Sequence, residues 1–202
     1  MASTSQTHAG NGDRQPQRAS AAGPKLGEAD IGLGAKEREG SIQAMNVALA
    51  NASLLTIKTK KFHWDVVGPQ FSMLHKLWDE QYETLTDYVD EIAERIRMLG
   101  GYPIGTAQGF LEASELKEFP GQVPDATVAV RHLLADHETI TRSLRRDIDV
   151  CAEQLKDAGT ADFLTGMLQG HEKMAWMLRS FVNGVALQGS GEATQGRVPS
   201  NA

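Results

Sequence analysis

Residues 61–101, which read KFHWDVVGPQFSMLHKLWDEQYETLTDYVDEIAERIRMLGG, decide the fold of this chain. A Gly-Pro pair divides the stretch, and His63 and His75 lie six residues before and six residues after Pro69. After the turn, apolar residues recur at helical steps of three and four until Gly100–Gly101 stops the pattern. The stretch therefore predicts two helices joined by a tight turn, with the two imidazoles at the same level.

The remaining sequence predicts an all-α fold of four long helices without a competing strand pattern. A connection of residues 102–123 separates the second helix from the third, and its middle, residues 111–119, predicts a short helix. Four helices with one long crossover are typical of a ferritin-like bundle. The predicted helices run from Ser41 past His63, from Gln70 to Leu99, from Asp125 to Gly159 and from Thr160 to Asn183, with Ser41 and Thr160 as N-caps.

Composition places the bundle domain in residues 41–187, between flexible tails at residues 1–40 and 188–202. The 202-residue chain has a formal charge of -6, which is not the basic footprint of a nucleic-acid binder. No apolar run approaches the roughly 20 residues of a membrane span, and the N-terminus lacks the apolar core of a signal peptide. The single Cys151 predicts a buried thiol and a reducing compartment. We therefore expect a soluble cytoplasmic protein.

Four residues of the second helix carry side chains suited to binding iron, manganese or zinc. At about 100° per residue, His75, Asp79, Asp90 and Glu94 share one face, nearly opposite the apolar stripe. Because Asp79 and Asp90 are 11 residues apart, roughly 16 Å of helix separates them, too far for one metal ion. They therefore form two half-sites, which two antiparallel copies of the helix would complete across a two-fold axis. An ordinary solvated face is the alternative interpretation.

The spacing of the histidines argues against a metal centre inside one bundle. Ferritins with such a centre use Glu-x-x-His pairs. None of the histidines from His63 to His171 has a glutamate three residues before it. Any di-metal site is therefore expected between subunits, where His63 joins through the Gly-Pro turn.

Spaced residues along the whole predicted bundle form one extended motif. They are Phe62-His63-Trp64, Val67-Gly68-Pro69, Phe71, His75, Asp79, Asp87, Asp90, Ala93-Glu94-Arg95, Leu99-Gly100-Gly101, Thr160-Ala161-Asp162 and His171-Glu172-Lys173. This motif resembles the Dps family, the mini-ferritins, over about residues 41–187.

The resemblance implies a hollow homo-dodecamer, built from two-fold dimers, that oxidises Fe(II) with hydrogen peroxide or oxygen and stores ferric mineral. Iron is the implied metal, with zinc or manganese as substitutes. The family's ferroxidase centre lies at the dimer interface. On this chain the family ligands would be His63, His75 and Asp79 from one subunit and Asp90 and Glu94 from its partner.

Other residues give weaker predictions. Trp64 lies beside the site in the family, where it could intercept stray oxidising equivalents, and simple packing is the alternative. Asp147 is the best candidate for an iron-entry pore at a three-fold axis, and a solvated helix face is the alternative. We expect His132, His137 and His171 to be satisfied helix residues rather than ligands.

A DNA-compacting protein with a secondary metal site is the alternative function. Many family members bind DNA through lysine-rich tails, whereas the charges of residues 1–40 balance, so the resemblance alone does not predict direct DNA binding. A structural shell with zinc in an inactive site is a third interpretation.

Overall fold

A computed structural model describes residue 27, residues 29–122 and residues 125–189, with side chains as far as residue 182. Within these residues the chain forms five α-helices and one π-helical turn and no strand, which confirms the all-α prediction. The helices are α1 (Ala35–Asp65), α2 (Phe71–Met98), α3 (Ala107–Ala113), α4 (Ala126–Asp149) and α5 (Ala158–Gly189), and the π-helical turn is Val150–Gln154. The four long helices form the bundle, and the short α3 lies in the crossover between α2 and α4.

The core lies where the periodicity of the second helix predicts it. The apolar stripe of α2 is fully buried and faces α1 and α5. The shared core cluster also includes Cys151, whose predicted burial is confirmed. The completely buried residues of the α2 stripe are Leu74, Trp78, Leu85, Ile92, Ile96 and Leu99. Because these side chains occupy one side of α2, the opposite side remains available for polar groups.

The first helix begins earlier than expected, at Ala35 rather than near Ser41. Ser41 is fully buried inside the helix and is not its N-cap. The reason is Arg38, which is buried and donates hydrogen bonds to the carbonyl oxygens of Gly27 at 3.1 Å and Leu99 at 3.0 Å. Part of the predicted N-terminal tail is therefore fastened to the end of α2. The rest of that tail, and residues 190–202, lie outside the described residues.

The short crossover helix also lies earlier than expected, at Ala107–Ala113 rather than at residues 111–119. Thr106 caps it by accepting a hydrogen bond from the backbone N–H of Gly109. Beyond the helix, the Ser114 hydroxyl and the Glu115 backbone N–H both donate to Oδ1 of the buried Asn51, each at 2.8 Å. These bonds to α1 replace the helical hydrogen bonds that the sequence pattern predicted for this segment.

The junction between α4 and α5 differs from the prediction as well. α4 is capped by Asp125 and ends at Asp149 rather than at Gly159. α5 begins at Ala158, and its capping carboxylate is Asp157, which accepts hydrogen bonds from the backbone N–H and the hydroxyl of Thr160. Thr160 is therefore a donor to the cap and not the cap itself. No helix within the described residues is long and apolar enough to cross a membrane.

Candidate metal centre

The turn between α1 and α2 brings the first two predicted ligands into contact. Gly68 has a φ of 99°, a left-handed conformation that only glycine adopts without strain, and its carbonyl oxygen accepts a hydrogen bond from the Phe71 N–H at 3.0 Å. The two helices return side by side, and the rings of His63 and His75 stack with centroids 3.7 Å apart. The prediction that the turn places these two histidines at the same level is confirmed.

Each imidazole of this pair is oriented by the backbone of the other residue. Nδ1 of His63 lies 2.8 Å from the carbonyl oxygen of His75, and Nδ1 of His75 lies 2.9 Å from the carbonyl oxygen of His63. A carbonyl oxygen can only accept, so both Nδ1 atoms carry the proton and donate it. In the neutral form of each ring Nε2 then carries the lone pair, and this is the tautomer that a metal ion requires.

Asp79 completes the first half-site. Its Oδ1 lies 3.7 Å from Nε2 of His63, and it accepts a hydrogen bond from Nζ of Lys60 at 3.1 Å. The hydrogen bond from Lys60 is the main cause that lowers the pKa of Asp79, and the charges of Lys60, His63 and His75 act in the same direction while desolvation opposes them. The carboxylate is therefore anionic at neutral pH, with an ammonium group bonded to one of its oxygens.

Lys60 is a site residue that sequence reasoning missed. Its ammonium group lies 4.2 Å from the centroid of the Tyr82 ring as well as beside Asp79. The signal was present in the sequence, because Lys60 precedes His63 by three residues and so shares its helix face. Lys60 therefore supplies a positive charge that balances the Asp79 carboxylate.

Asp90 and Glu94 form the second half-site, about three turns further along α2. Both residues are exposed on the described chain. One chain does not bring the five predicted ligands together, and among the described residues no three His, Cys, Asp or Glu side chains are grouped so that they could hold a metal ion. His63, His75 and Asp79 lie together at one end of α2, whereas Asp90 and Glu94 lie apart from them.

The surface around the first half-site is unusually apolar for an exposed helix hairpin. Trp64, Val67, Phe71 and Met73 have between 45% and 74% of their surface exposed. Phe71 stacks on His75 with ring centroids 4.9 Å apart. An apolar rim of this kind beside a polar site is typical of a surface that binds another protein chain.

Other residues singled out in the sequence lie far from this half-site along the chain. Asp147 is half-buried near the end of α4, where burial raises the pKa of its carboxyl to about 6. Burial also raises the pKa of the Cys151 thiol to about 11, so this thiol stays protonated and unreactive. His132 is exposed, whereas His137 and His171 are completely buried against one another.

Comparison with known proteins agrees with the fold and the motif. A family model described as a ferritin-like domain matches residues 42–187. An uncharacterized low temperature-induced protein of Nostoc sp. is 52% identical over 172 residues, which span 84% of this chain and 96% of that protein. DNA protection during starvation protein 2 of Bacillus anthracis is 37% identical over 143 residues, which span 70% of this chain and 96% of that protein.

The solved structures agree as well. The DPS protein of Vibrio cholerae O1, described as a member of a broad superfamily of ferritin-like diiron-carboxylate proteins, has a TM-score of 0.72 to this chain at 27% identity. The match covers 79% of this chain and 99% of that one. The chain therefore belongs to the ferritin-like proteins and, within them, to the Dps family.

Proposed function

We propose that this protein is a mini-ferritin that oxidises Fe(II) at sites shared by two subunits and stores the ferric product. The observation that carries the proposal is the reciprocal bonding of His63 and His75, which uses both Nδ1 atoms and leaves Nε2 of each ring for a metal ion, with the carboxylate of Asp79 3.7 Å from Nε2 of His63. Two imidazoles and a carboxylate form a half-site that suits Fe(II) and does not exclude zinc or manganese.

The second half-site contributes the additional negative charge that oxidised iron requires. Asp90 and Glu94 lie one helical turn apart, so their carboxylates can bind the same ion. Neutral imidazoles favour Fe(II), whereas carboxylates stabilise Fe(III), so the combined site favours the change of oxidation state. When hydrogen peroxide is the oxidant, two Fe(II) ions supply two electrons, the O–O bond breaks, and two protons are taken up to form two molecules of water.

The site must be completed by a second copy of the chain. Asp79 and Asp90 are separated by about 16 Å along α2, so one subunit cannot place both on one metal ion. An antiparallel pair of α2 helices about a two-fold axis brings His63, His75 and Asp79 of each subunit to the partner's carboxylates. The exposed apolar residues around Trp64 would be buried by the same contact. We further propose that such dimers assemble into the hollow homo-dodecamer that the family resemblance implies.

Trp64 and Asp147 receive proposed roles within this assembly. Trp64 follows His63 in α1 and is exposed, and its proposed role is to donate an electron to a stray oxidant. Asp147 is an acidic group in a half-buried position, a property suited to drawing Fe(II) through an entry pore. In this proposal the protein acts in the cytoplasm.

Protection of DNA would then follow from the chemistry. Relatives of this chain are named for DNA protection during starvation. Consuming Fe(II) and peroxide together removes the two reactants that produce hydroxyl radicals, and this requires no contact with DNA. The alternative, a DNA-compacting protein, requires phosphate contacts that weaken steeply as salt rises. Gel retardation at several salt concentrations separates the two functions.

The test is peroxide-driven Fe(II) oxidation by a double variant that carries Asp90→Ala and Glu94→Ala. We expect it to assemble as the wild type does and to lose rapid oxidation, because the second half-site is gone. A matched control, Glu39→Ala with Glu112→Ala, removes two exposed carboxylates from other helices and should keep the wild-type rate. Unchanged oxidation in the Asp90/Glu94 variant would contradict the assigned site, and a monomeric wild-type protein would contradict the shared site.

A further inference from the structure

The centre of the α4–α5 contact contains two titratable side chains that the proposed iron chemistry does not use. His137 on α4 and His171 on α5 are both completely buried. Their Nδ1 atoms are 2.9 Å apart, so one ring donates a hydrogen bond to the other. Neither Nε2 atom has a hydrogen-bond partner within the described part of the chain. From the sequence, the polar atoms of these histidines were expected to be hydrogen-bonded, but in each ring only Nδ1 has a hydrogen-bond partner among the residues that the structure describes.

The chemistry of the pair makes it sensitive to acid in two steps. In the neutral pair, one Nδ1 carries a proton and the other accepts it. A first added proton can go to the Nε2 of the donor ring, which leaves the shared hydrogen bond intact. A second proton must convert the accepting Nδ1 into a donor. Two N–H groups would then face each other at the distance of a hydrogen bond, and two cations would share one buried space.

The surroundings of the pair offer little to offset that charge. The ring of Tyr88 on α2 lies 5.7 Å from the ring of His171 and carries no charge at neutral pH. Of the charged side chains nearest in sequence, Lys173 is exposed to solvent and the others form ion pairs elsewhere. Their ion pairs are Lys58 with Asp136 between α1 and α4, Glu138 with Arg179, and Glu172 with Arg145. Burial is therefore the main influence on the two rings, and it lowers the pKa of both histidines. The pKa of His171 falls to about 4.

We propose that the His137–His171 pair is an acid-triggered switch that opens the contact between α4 and α5 as the pH falls. In the folded chain the pair stays neutral, whereas in the opened chain each imidazole regains its ordinary pKa near 6.5. The open state therefore binds more protons, and stability is present above pH 6.5 and declines as the pH falls toward 4. For His171 alone, each pH unit in that window shifts the equilibrium about tenfold toward the open state.

The test is hydrogen exchange of the full-length protein at pH 7 and pH 5, corrected for the intrinsic exchange rate. At pH 5 we expect the amides of α4 and α5 beside the pair to lose protection by at least about 30-fold, the share of His171 alone. His171→Asn should lose about 30-fold less protection than the wild type, because the asparagine amide replaces Nδ1 in the hydrogen bond but does not titrate, whereas His137 still does. His132→Asn, an exposed histidine of the same helix, is the matched control and should behave as the wild type.

Three outcomes would overturn the switch. The first is an unchanged protection of α4 and α5 in the wild type at pH 5. The second is an equal loss of protection in His171→Asn and the wild type. The third is earlier opening of the α1–α4 contact than of the α4–α5 contact, which would place the acid response outside the His137–His171 pair. Should His171→Asn fail to fold, His137→Asn tests the same bond from the other helix.

Discussion

Asp157 is the residue whose removal best tests how α5 is held against α2. Its side chain is 2% exposed, accepts two hydrogen bonds from Thr160, and pairs with Nη2 of Arg95 at 3.2 Å. Arg95 directly follows Glu94, so this contact also fixes the position of the second half-site. In Asp157→Ala the helix loses its cap, the buried Thr160 hydroxyl loses its acceptor, and the Arg95 guanidinium loses its carboxylate partner and keeps the Thr160 oxygen.

The expected loss in the free energy of unfolding follows from a comparison of Asp157 with Asp125, the other capping aspartate. Asp125 caps α4 in an exposed position through one hydrogen bond from the Val128 N–H at 2.9 Å. Loss of an exposed N-cap costs about 1 kcal/mol, so Asp125→Ala should lower the free energy of unfolding by that amount. Breaking a buried charge pair costs about 3–5 kcal/mol, and because Arg95 is 23% exposed and keeps the Thr160 oxygen, Asp157→Ala should lower it by about 3 kcal/mol, the low end of that range.

Urea unfolding followed by circular dichroism, at one protein concentration for all variants, measures both values. Asp157→Asn separates charge from hydrogen bonding, because the amide oxygen still accepts from the Thr160 N–H while the ion pair with Arg95 is lost. The pKa of Asp157 is lowered by the hydrogen bonds from Thr160 and the charge of Arg95, which outweigh burial. Its stabilisation is therefore present near neutral pH and lost as the pH falls through its folded pKa. Equal losses in Asp125→Ala and Asp157→Ala would refute the reasoning.

Three further changes test the site, the turn and the pore residue. Lys60→Ala removes the main cause that lowers the pKa of Asp79, so the acid limb of the Fe(II) oxidation rate should move to higher pH. Gly68→Ala should cost about 1–2 kcal/mol of unfolding free energy because its φ is 99°, whereas Gly105→Ala, also in open space, should cost little. Asp147→Asn should stabilise the fold above pH 6, since its pKa is raised to about 6, but by less than the roughly 3 kcal/mol of the full shift, because solvent screens this half-buried group. That gain, measured by urea unfolding, should disappear as the pH falls toward 4.

The helices and the core were predictable because they depend on local periodicity. Apolar residues recur at helical steps from Leu74 to Leu99. That spacing identified each of the residues in the stripe that the structure buries completely. The ends of the helices were less predictable, because long-range contacts decide them. Arg38 extends α1 by bonding to the far end of α2, and Asn51 holds the segment after α3 out of helical conformation.

In the candidate site, too, local spacing predicted some features, and contacts between helices decided the others. Spacing about Pro69 placed His63 level with His75, and helical rise separated Asp79 from Asp90. The ring tautomers could not be predicted, because they depend on backbone carbonyls of the facing helix. For the same reason the bond from Lys60 to Asp79 was not anticipated.

The sequence by itself determined which side chains this protein presents on which face of each helix, since that depends only on 3.6 residues per turn. It therefore determined the all-α class, the core stripe of α2 and the division of the candidate metal ligands into half-sites. Only the tertiary structure decided which atoms meet. The stacking of His63 on His75, the cap at Asp157 and the burial of His137 against His171 all join residues of different helices or helix ends. Such contacts depend on how the helices pack, a relation that no periodicity within one helix contains.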